Sequence, residues 1–476
     1  IEKLESTSDG HYKVTLSYPH YFPFMDDAID AKARKKLYEK YSQRAGPENV
    51  KRLEKAIVIR AKIAKLLGYK NHASYVLEER MAKTPEKVKT FLDELKARLE
   101  PLRVAELKTM SEYKKKDSPS DPTIYEWDWR FYNNQILKKE FQVNPDLVRA
   151  YFPLEHVTKE MFEIYQTLLG VEFREVKKPM VWHKDVKMYE VRNRGSKKPR
   201  AYFYMDLFPR DGKYTHAGAF PLRQGRYDFK EESYIEPIAA IVANFSAPAK
   251  NRPSLLSHDE LATYFHEFGH IMHQVLTESK YGWFSGTNTE RDFVEAPSQM
   301  LENWIWNPQM LKKISSHFET RKPLPDEVIM KLIEARNLNV ALKNCRQLMF
   351  GLFDLTIHTT VKKVNTTSLW QKIKKEVMGI PSGTGSIRQA AFGHIMGGYD
   401  AAYYGYLWSE VFAADMFAQF ESQGLLNGKI GQKYRETILA PGGSQDAEVM
   451  LSTFLGREPS TASFFKQLGL TVSNKN

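Results

Sequence analysis

Residues 257–275 read SHDELATYFHEFGHIMHQV, and this stretch has the local features of an amphipathic helix. Ser257 and Glu260 have the capping-box spacing, in which each side chain satisfies a free backbone N–H group at a helix start. Apolar residues then recur at intervals of three and four positions. The stretch therefore predicts a helix that begins just after Ser257 and buries one face.

Two histidines lie one turn apart on this predicted helix. His266 and His270 are four positions apart, so their imidazoles share one face and can bind a single ion. Zinc accepts neutral imidazole nitrogen, and a catalytic zinc site combines three protein ligands with a position for water. Glu267 follows the first histidine, where it can accept a proton from that water and pass it to a departing amine. The pattern predicts hydrolytic chemistry at a metal.

A third ligand is expected downstream, in the segment DFVEAPSQ at residues 292–299. The residues that follow are apolar at helical spacing: Met300, Leu301, Trp304 and Ile305. This pattern predicts a second helix with Pro297 in its opening turn, which could present Glu295 to the two histidines. Taken alone, Glu295 would be an ordinary surface carboxylate.

The composition is that of a large globular protein. The chain has 476 residues, of which 42% are hydrophobic and 13% aromatic, so we expect more than one core. A single cysteine, Cys345, excludes an intrachain disulfide and favours a cytoplasmic location, with an organelle interior as the alternative. The longest apolar run, residues 235–245, is broken by Glu236 and Pro237, so no membrane association is expected.

The net charge of +12 raises nucleic acid or an acidic peptide as a partner. Basic residues alternate with acidic ones on helical stretches such as residues 48–65, and the densest basic clusters lie in turn-like segments. We interpret the charge as solvated surface and expect no nucleic-acid partner.

Hydrophobic periodicity divides the chain into three regions. Residues 1–165 are predicted to be mainly helical, with Thr158 capping a further helix at the end of this region. Residues 166–256 are rich in aromatic and β-branched residues and predict a small, mostly antiparallel sheet. Residues 257–476 are helical again and contain the metal motif and a glycine-rich loop. We expect residues 1–476 to form a single catalytic unit of two packed lobes.

Several segments resemble the thimet oligopeptidase and neurolysin family of zinc oligopeptidases, and the resemblance covers nearly the whole chain. The matching segments are Phe284-Ser285-Gly286-Thr287, residues 291–304, residues 392–401, residues 403–410 and Pro441-Gly442-Gly443-Ser444. The resemblance implies a mainly helical, two-lobed, zincin-like peptidase with a deep central channel and one zinc ion per chain at its floor. In that family the acid of the Phe-Val-Glu segment is the third zinc ligand, which corresponds to Glu295.

The resemblance also implies an activity. It is that of a zinc metalloendopeptidase, an oligopeptidase that hydrolyses internal bonds of short unstructured peptides with a zinc-activated water and Glu267 as general base. The glycine-rich loop carries residues that the family uses to bind substrate and stabilise the reacting carbonyl. They correspond here to His394, Tyr399, Tyr403 and Tyr406. Tyr403 is the expected catalytic donor to the oxyanion, and the other three are expected to bind substrate.

Family members carry a long N-terminal helical segment before the part that matches. We therefore expect this chain to be a fragment that can associate with such a segment. We also expect it to be a monomer. Two alternatives stay open. A zinc carboxypeptidase or dipeptidyl peptidase would share the motif, and product analysis separates it from an oligopeptidase. A basic binding protein that has lost catalysis would show salt-sensitive nucleic-acid affinity and contain no zinc.

Overall fold

The computed structural model describes residues 5–470 and is built mainly of helices. The helices are α1 (Tyr18–Asp27), α2 (Ala31–Ser42), α3 (Gly46–Leu66), α4 (His72–Leu77), α5 (Pro85–Asp117), α6 (Trp129–Lys139), α7 (Pro145–Arg149), α8 (Leu154–Leu169), α9 (His258–Val275), α10 (Ala296–Glu302), α11 (Pro308–Ile314), α12 (Asp326–Glu334), α13 (Val340–Thr359), α14 (Thr366–Met378), α15 (Gly405–Gln423), α16 (Gly428–Tyr434), α17 (Ala447–Leu455) and α18 (Ala462–Gln467). The strands are β1 (Glu5–Ser6), β2 (Tyr12–Lys13), β3 (Val171–Glu175), β4 (Lys187–Asn193), β5 (Pro199–Asp206), β6 (Gly218–Arg223), β7 (Arg226–Asp228), β8 (Ser233–Ile235) and β9 (Ile238–Val242). Single turns of 3₁₀ or π helix connect several of them.

The chain divides into two compact units, each made of two separate stretches. The first unit combines the chain up to Gln142 with residues 337–407. The second combines residues 143–336 with the chain from Trp408 onward. The predicted regions run consecutively along the chain, whereas each unit is assembled from distant parts of it.

The core of the first unit lies where α5 packs against α13. The apolar stripe of α5, which includes Val88, Leu92 and Leu99, is fully buried, as its spacing requires. Glu106 on α5 accepts the backbone N–H groups of Ala341 and Leu342 at 3.0 and 2.8 Å. This buried carboxylate satisfies free donors at the start of α13 and so fixes that helix against α5.

The second unit contains the main sheet, in the order β3-β4-β5-β9-β6. The sheet is small, as predicted, and it is mixed: β5 pairs with β9 in parallel, and the other three pairs are antiparallel. Helix α9 packs on it through Phe268, whose ring meets those of Phe162, Phe173 and Phe203 at centroid distances of 5.3–5.7 Å. Because this aromatic cluster fixes one face of α9, the opposite face is held in a defined orientation.

The prediction that Thr158 caps a helix is wrong. Helix α8 begins at Leu154, directly after Pro153, so Thr158 lies inside it. Its hydroxyl donates to the carbonyl oxygen of Leu154 at 2.7 Å and also contacts the hydroxyl of Tyr264. A threonine hydroxyl can cap a helix, and inside a helix it can bond back to a carbonyl oxygen one turn earlier. The position of Thr158 therefore does not by itself locate the start of the helix.

Candidate metal centre

Helix α9 begins where the sequence predicts. Ser257 is its cap, and both hydrogen bonds of the capping box with Glu260 are present. The apolar face of the helix, which includes Phe265 and Phe268, is fully buried. His266 and His270 lie on the other face, with 19% and 12% of their side-chain surfaces exposed.

Glu295 lies immediately before α10, whose second residue is Pro297. Its carboxylate is 5% exposed, and its Oε2 atom lies 3.2 Å from Nε2 of His266 and 3.1 Å from Nε2 of His270. The residues His266, His270 and Glu295 therefore direct one ligand atom each at a common point, and these atoms lie within 4.8 Å of one another. The predicted juxtaposition of the two histidines with the downstream acid is present in the structure.

The glycine inside the motif explains how the two helices approach so closely. A Cβ atom on Gly269 would lie 2.8 Å from the Cα atom of Ser298 in α10, a distance that a real side chain cannot keep. Ser298 in turn donates its hydroxyl to the carbonyl oxygen of Glu295 at 3.0 Å. Gly269 thus lets the backbone of α10 rest on α9, and this contact brings Glu295 to the histidines.

The electrostatics of the cluster call for positive charge next to Glu295. Burial acts to raise the pKa of Glu295, but the charges of His270 and His266 hold that pKa well below its ordinary value. Burial acts to lower the pKa of His266, but hydrogen bonds to Glu295 and Glu302 raise that pKa well above its ordinary value. Protons on the imidazoles or one divalent cation between the three atoms would each meet this demand.

Glu302 is a member of the site that sequence reasoning missed. Its Oε1 atom lies 2.7 Å from Nδ1 of His266, so that nitrogen donates its proton to the carboxylate, and in the neutral imidazole that binds a metal the lone pair is then on Nε2. Glu302 follows Glu295 by seven positions, which is two helical turns and hence the same face. That spacing was the available signal.

Two charged side chains, Arg336 and Glu410, interact electrostatically with Glu302. Burial raises the pKa of Glu410 to about 8, and the charge of Glu302 adds to this effect, while Arg336 opposes it. Arg336 also donates from Nη2 to the side-chain oxygen of Asn303 at 2.9 Å. The carboxylate that orients His266 therefore interacts electrostatically with one cation and one further acid.

Glu267 is buried beside the cluster, with 8% of its surface exposed. Burial raises the pKa of its carboxyl above the ordinary value, while the neighbouring His266 and His270 act in the opposite direction. A carboxylate whose pKa is raised binds a proton more readily at neutral pH, which suits a group that accepts and releases protons.

The residues of the glycine-rich loop lie together in the first unit. The rings of His394 and Tyr403 are 5.2 Å apart, and those of Tyr399 and Tyr406 are stacked at 5.2 Å. The hydroxyl of Tyr403 donates to the side-chain oxygen of Gln347 at 2.9 Å. The structure thus brings the four predicted loop residues into one cluster, and it brings the three predicted ligands and Glu267 into another in the second unit.

Comparison with known proteins shows the family of the chain. The model of Peptidase family M3 matches residues 24–470. The chain belongs to this family. As an M3 chain it is a metallopeptidase, and therefore a hydrolase.

The M3 chain has close relatives among known proteins. It is 41% identical to the thimet-like oligopeptidase of Dictyostelium discoideum, over 99% of this chain and 72% of that protein. It is also 41% identical to saccharolysin of Saccharomyces cerevisiae, over 99% of this chain and 68% of that protein. The M3 chain therefore matches about seven tenths of the length of these relatives.

Solved structures share the fold at low sequence identity. PZ peptidase A superposes with a TM-score of 0.60 at 15% identity, covering 97% of this chain and 71% of that one. A carboxypeptidase of Pyrococcus furiosus superposes with a TM-score of 0.55 at 13% identity, covering 95% and 80%. At these identities the likeness shows the fold alone.

Proposed function

We propose that this M3 chain is a zinc metalloendopeptidase of the oligopeptidase type, which hydrolyses internal bonds of short unstructured peptides. The observation that carries the proposal is the convergence of His266 Nε2, His270 Nε2 and Glu295 Oε2 beside the buried Glu267. Family membership and the oligopeptidase names of the relatives support the substrate class.

The donor set fits zinc. Two imidazole nitrogens and one carboxylate oxygen are the ligands of many catalytic zinc sites, and ligand atoms around one tetrahedral zinc lie roughly 3.3 Å apart. The distances of 3.2 and 3.1 Å from Glu295 to the two histidines are near that spacing, and the three ligand atoms lie within 4.8 Å of one another. When bound, zinc supplies Lewis acidity and lowers the pKa of a bound water from about 15.7 to roughly 7.

The chain's own residues then act on protons and charge. Glu267 accepts the proton of the attacking water and passes it to the leaving amine. Glu302 holds the proton on Nδ1 of His266 and keeps the Nε2 lone pair directed at the ligand site. Tyr403 donates its phenolic O–H group to the carbonyl oxygen as negative charge develops there. His394, Tyr399 and Tyr406 bind the peptide.

The substitution Glu267→Gln tests the proposal. It keeps the shape of the side chain but removes its basicity, so kcat should fall by a factor of about 10²–10⁴ while zinc stays bound. Turnover is measured on a blocked peptide with an internal fluorescence quencher, and zinc is measured by elemental analysis. Glu327→Gln, an exposed residue of the same unit with a side chain 79% exposed, is the control. Unchanged turnover in Glu267→Gln would refute the assigned base.

Mass spectrometry of the products separates the proposal from its nearest alternative. Internal cuts in the blocked peptide support an oligopeptidase. Release of terminal residues alone would instead assign a carboxypeptidase or dipeptidyl peptidase. A zinc-free chain with salt-sensitive nucleic-acid affinity would support the binding-protein alternative.

The remaining expectations are broader. Within residues 5–470, every helix is too short or too polar to span a lipid bilayer. Five further expectations stay predictions. They are a cytoplasmic location, a monomeric state, the lack of a nucleic-acid partner, the association with an N-terminal segment, and the two-lobed form with a central channel.

A further inference from the structure

A buried group of charged side chains in the first unit holds the segment that carries Tyr403. At its centre is Asp354 of α13, which is 1% exposed. Its Oδ1 atom accepts the backbone N–H of Ala401 at 2.9 Å, and its Oδ2 atom accepts that of Tyr403 at 3.0 Å. One carboxylate therefore fixes two amides of the same turn.

That turn has a strained backbone. Ala401 has a φ of +56°, a left-handed conformation that is unfavourable for a residue with a Cβ atom. Ala401 is also buried, so it cannot relax without disturbing its neighbours. Such a conformation persists only where surrounding contacts impose it, and the two hydrogen bonds from the turn to Asp354 are contacts of this kind.

Two further side chains, His358 and Arg60, connect Asp354 to other residues of the glycine-rich loop. Nδ1 of His358 lies 2.8 Å from Oδ1 of Asp354, and its Nε2 lies 3.0 Å from Nη1 of Arg60. Because arginine only donates, Nε2 of His358 accepts and Nδ1 donates. Arg60 also donates to the carbonyl oxygen of Ile395 at 2.7 Å and lies 3.4 Å from Asp400.

Helix α13 contacts both the backbone and the side-chain hydroxyl of Tyr403. Asp354 accepts its backbone N–H, and Gln347, which lies seven positions earlier on the same face of the helix, accepts its hydroxyl. We infer that Asp354 is a positioning residue, which fixes the Ala401–Tyr403 turn and through it sets the direction of the Tyr403 phenol. This inference rests on the proposed role of Tyr403 as oxyanion donor.

The test is the substitution Asp354→Asn, which keeps the size of the side chain but replaces one acceptor oxygen by a donor. We expect kcat to fall by a factor of about 100, because small misplacements of a catalytic group have effects of that size, with little change in KM and full zinc content. Asp128→Asn is the matched control. Asp128 is equally buried in the same unit but pairs with Arg34 and Lys114. It should lower thermal stability without lowering kcat.

A double-mutant cycle shows whether Asp354 acts through Tyr403. Tyr403→Phe alone should lower kcat by a factor of about 10²–10³. Adding Asp354→Asn should then have little further effect, since the group that it positions is already absent. If the double variant instead loses kcat by the full product of the two single-variant factors, the inference is overturned. Ala401→Gly should restore part of the kcat of Asp354→Asn, because glycine adopts a positive φ without strain.

Amide hydrogen exchange measures the turn without reference to activity. In Asp354→Asn the amides of Ala401 and Tyr403 should exchange faster than in the parent chain, and unchanged rates would overturn the inference. A Tyr403→Phe chain with full activity would instead refute the proposed role of Tyr403.

Should Asp354→Asn fail to fold, Arg60→Gln takes its place, since it removes the contacts to His358 and Ile395. It should lower kcat, and unchanged kcat together with unchanged exchange would again overturn the inference.

Discussion

One hydrogen bond decides which nitrogen of His266 faces the ligand site, and Glu302 accepts it at 2.7 Å. Replacing Glu302 by alanine removes that acceptor, so zinc affinity should fall by a factor of about 10–100. Glu302→Gln retains an amide oxygen in the same place and should lose less. Zinc affinity is measured by competition with a chromogenic chelator. Equal affinity in both variants and the parent chain would show that Glu302 does not orient the ligand.

Glu410 gives the second unit a pH dependence with a definite sign. Burial raises the pKa of Glu410 to about 8 from an ordinary 4.5, so the folded chain keeps a proton there that the unfolded chain releases. The stabilisation from this group is complete below about pH 4.5 and is lost as pH rises towards 8, by at most about 5 kcal/mol. Well above pH 8 the contribution of Glu410 to the free energy of unfolding no longer changes with pH.

Comparison with Glu410→Gln isolates this effect, because the amide does not titrate. The melting temperature of the parent chain, relative to that of the variant, should fall between pH 5 and pH 8 and change little beyond. A difference that stays flat across this range, or that rises with pH, would contradict the assignment.

The contact between α9 and α10 depends on one glycine. Gly269→Ala would place a Cβ atom 2.8 Å from the backbone of Ser298, so α10 must move and take Glu295 with it. We expect loss of zinc binding together with a lower melting temperature, since overpacking against a rigid backbone is destabilising. Elemental analysis and circular dichroism measure the two effects.

Gly351→Ala is the control for this substitution. Gly351 also lies inside a helix, but its nearest neighbours would be at 3.5 Å, an ordinary contact distance. Alanine is the better helix former by about 1 kcal/mol, so the control should be neutral or slightly stabilising. A Gly269→Ala chain that retains zinc would show that α10 can yield without displacing Glu295.

Elements with local signals could be predicted, and those set by distant contacts could not. The capping box of α9 and the proline at the start of α10 are encoded within a few residues, and both helices begin where the pattern indicates. The predicted start of α8 is wrong because the Thr158 hydroxyl bonds back to Leu154 inside the helix and does not cap it. Glu302 and Asp354 gave no signal of comparable strength, since their roles arise from folding partners 36 and 49 positions away.

At the scale of the molecule, the candidate zinc ligands all belong to the second unit, whereas Asp354 and the two residues that it holds, Ala401 and Tyr403, belong to the first. Removal of zinc by a chelator should therefore act unequally on the two units. A ligand stabilises the structure to which it binds, so amide exchange should become faster in α9 and α10 and change little in α13. Hydrogen-exchange mass spectrometry before and after chelation measures both, and Glu267→Gln, which should keep its zinc, is expected to respond in the same way. A chelator effect that is equal in α13 and α9 would mean that the two units do not unfold independently, and an absence of any effect in α9 would refute the metal site.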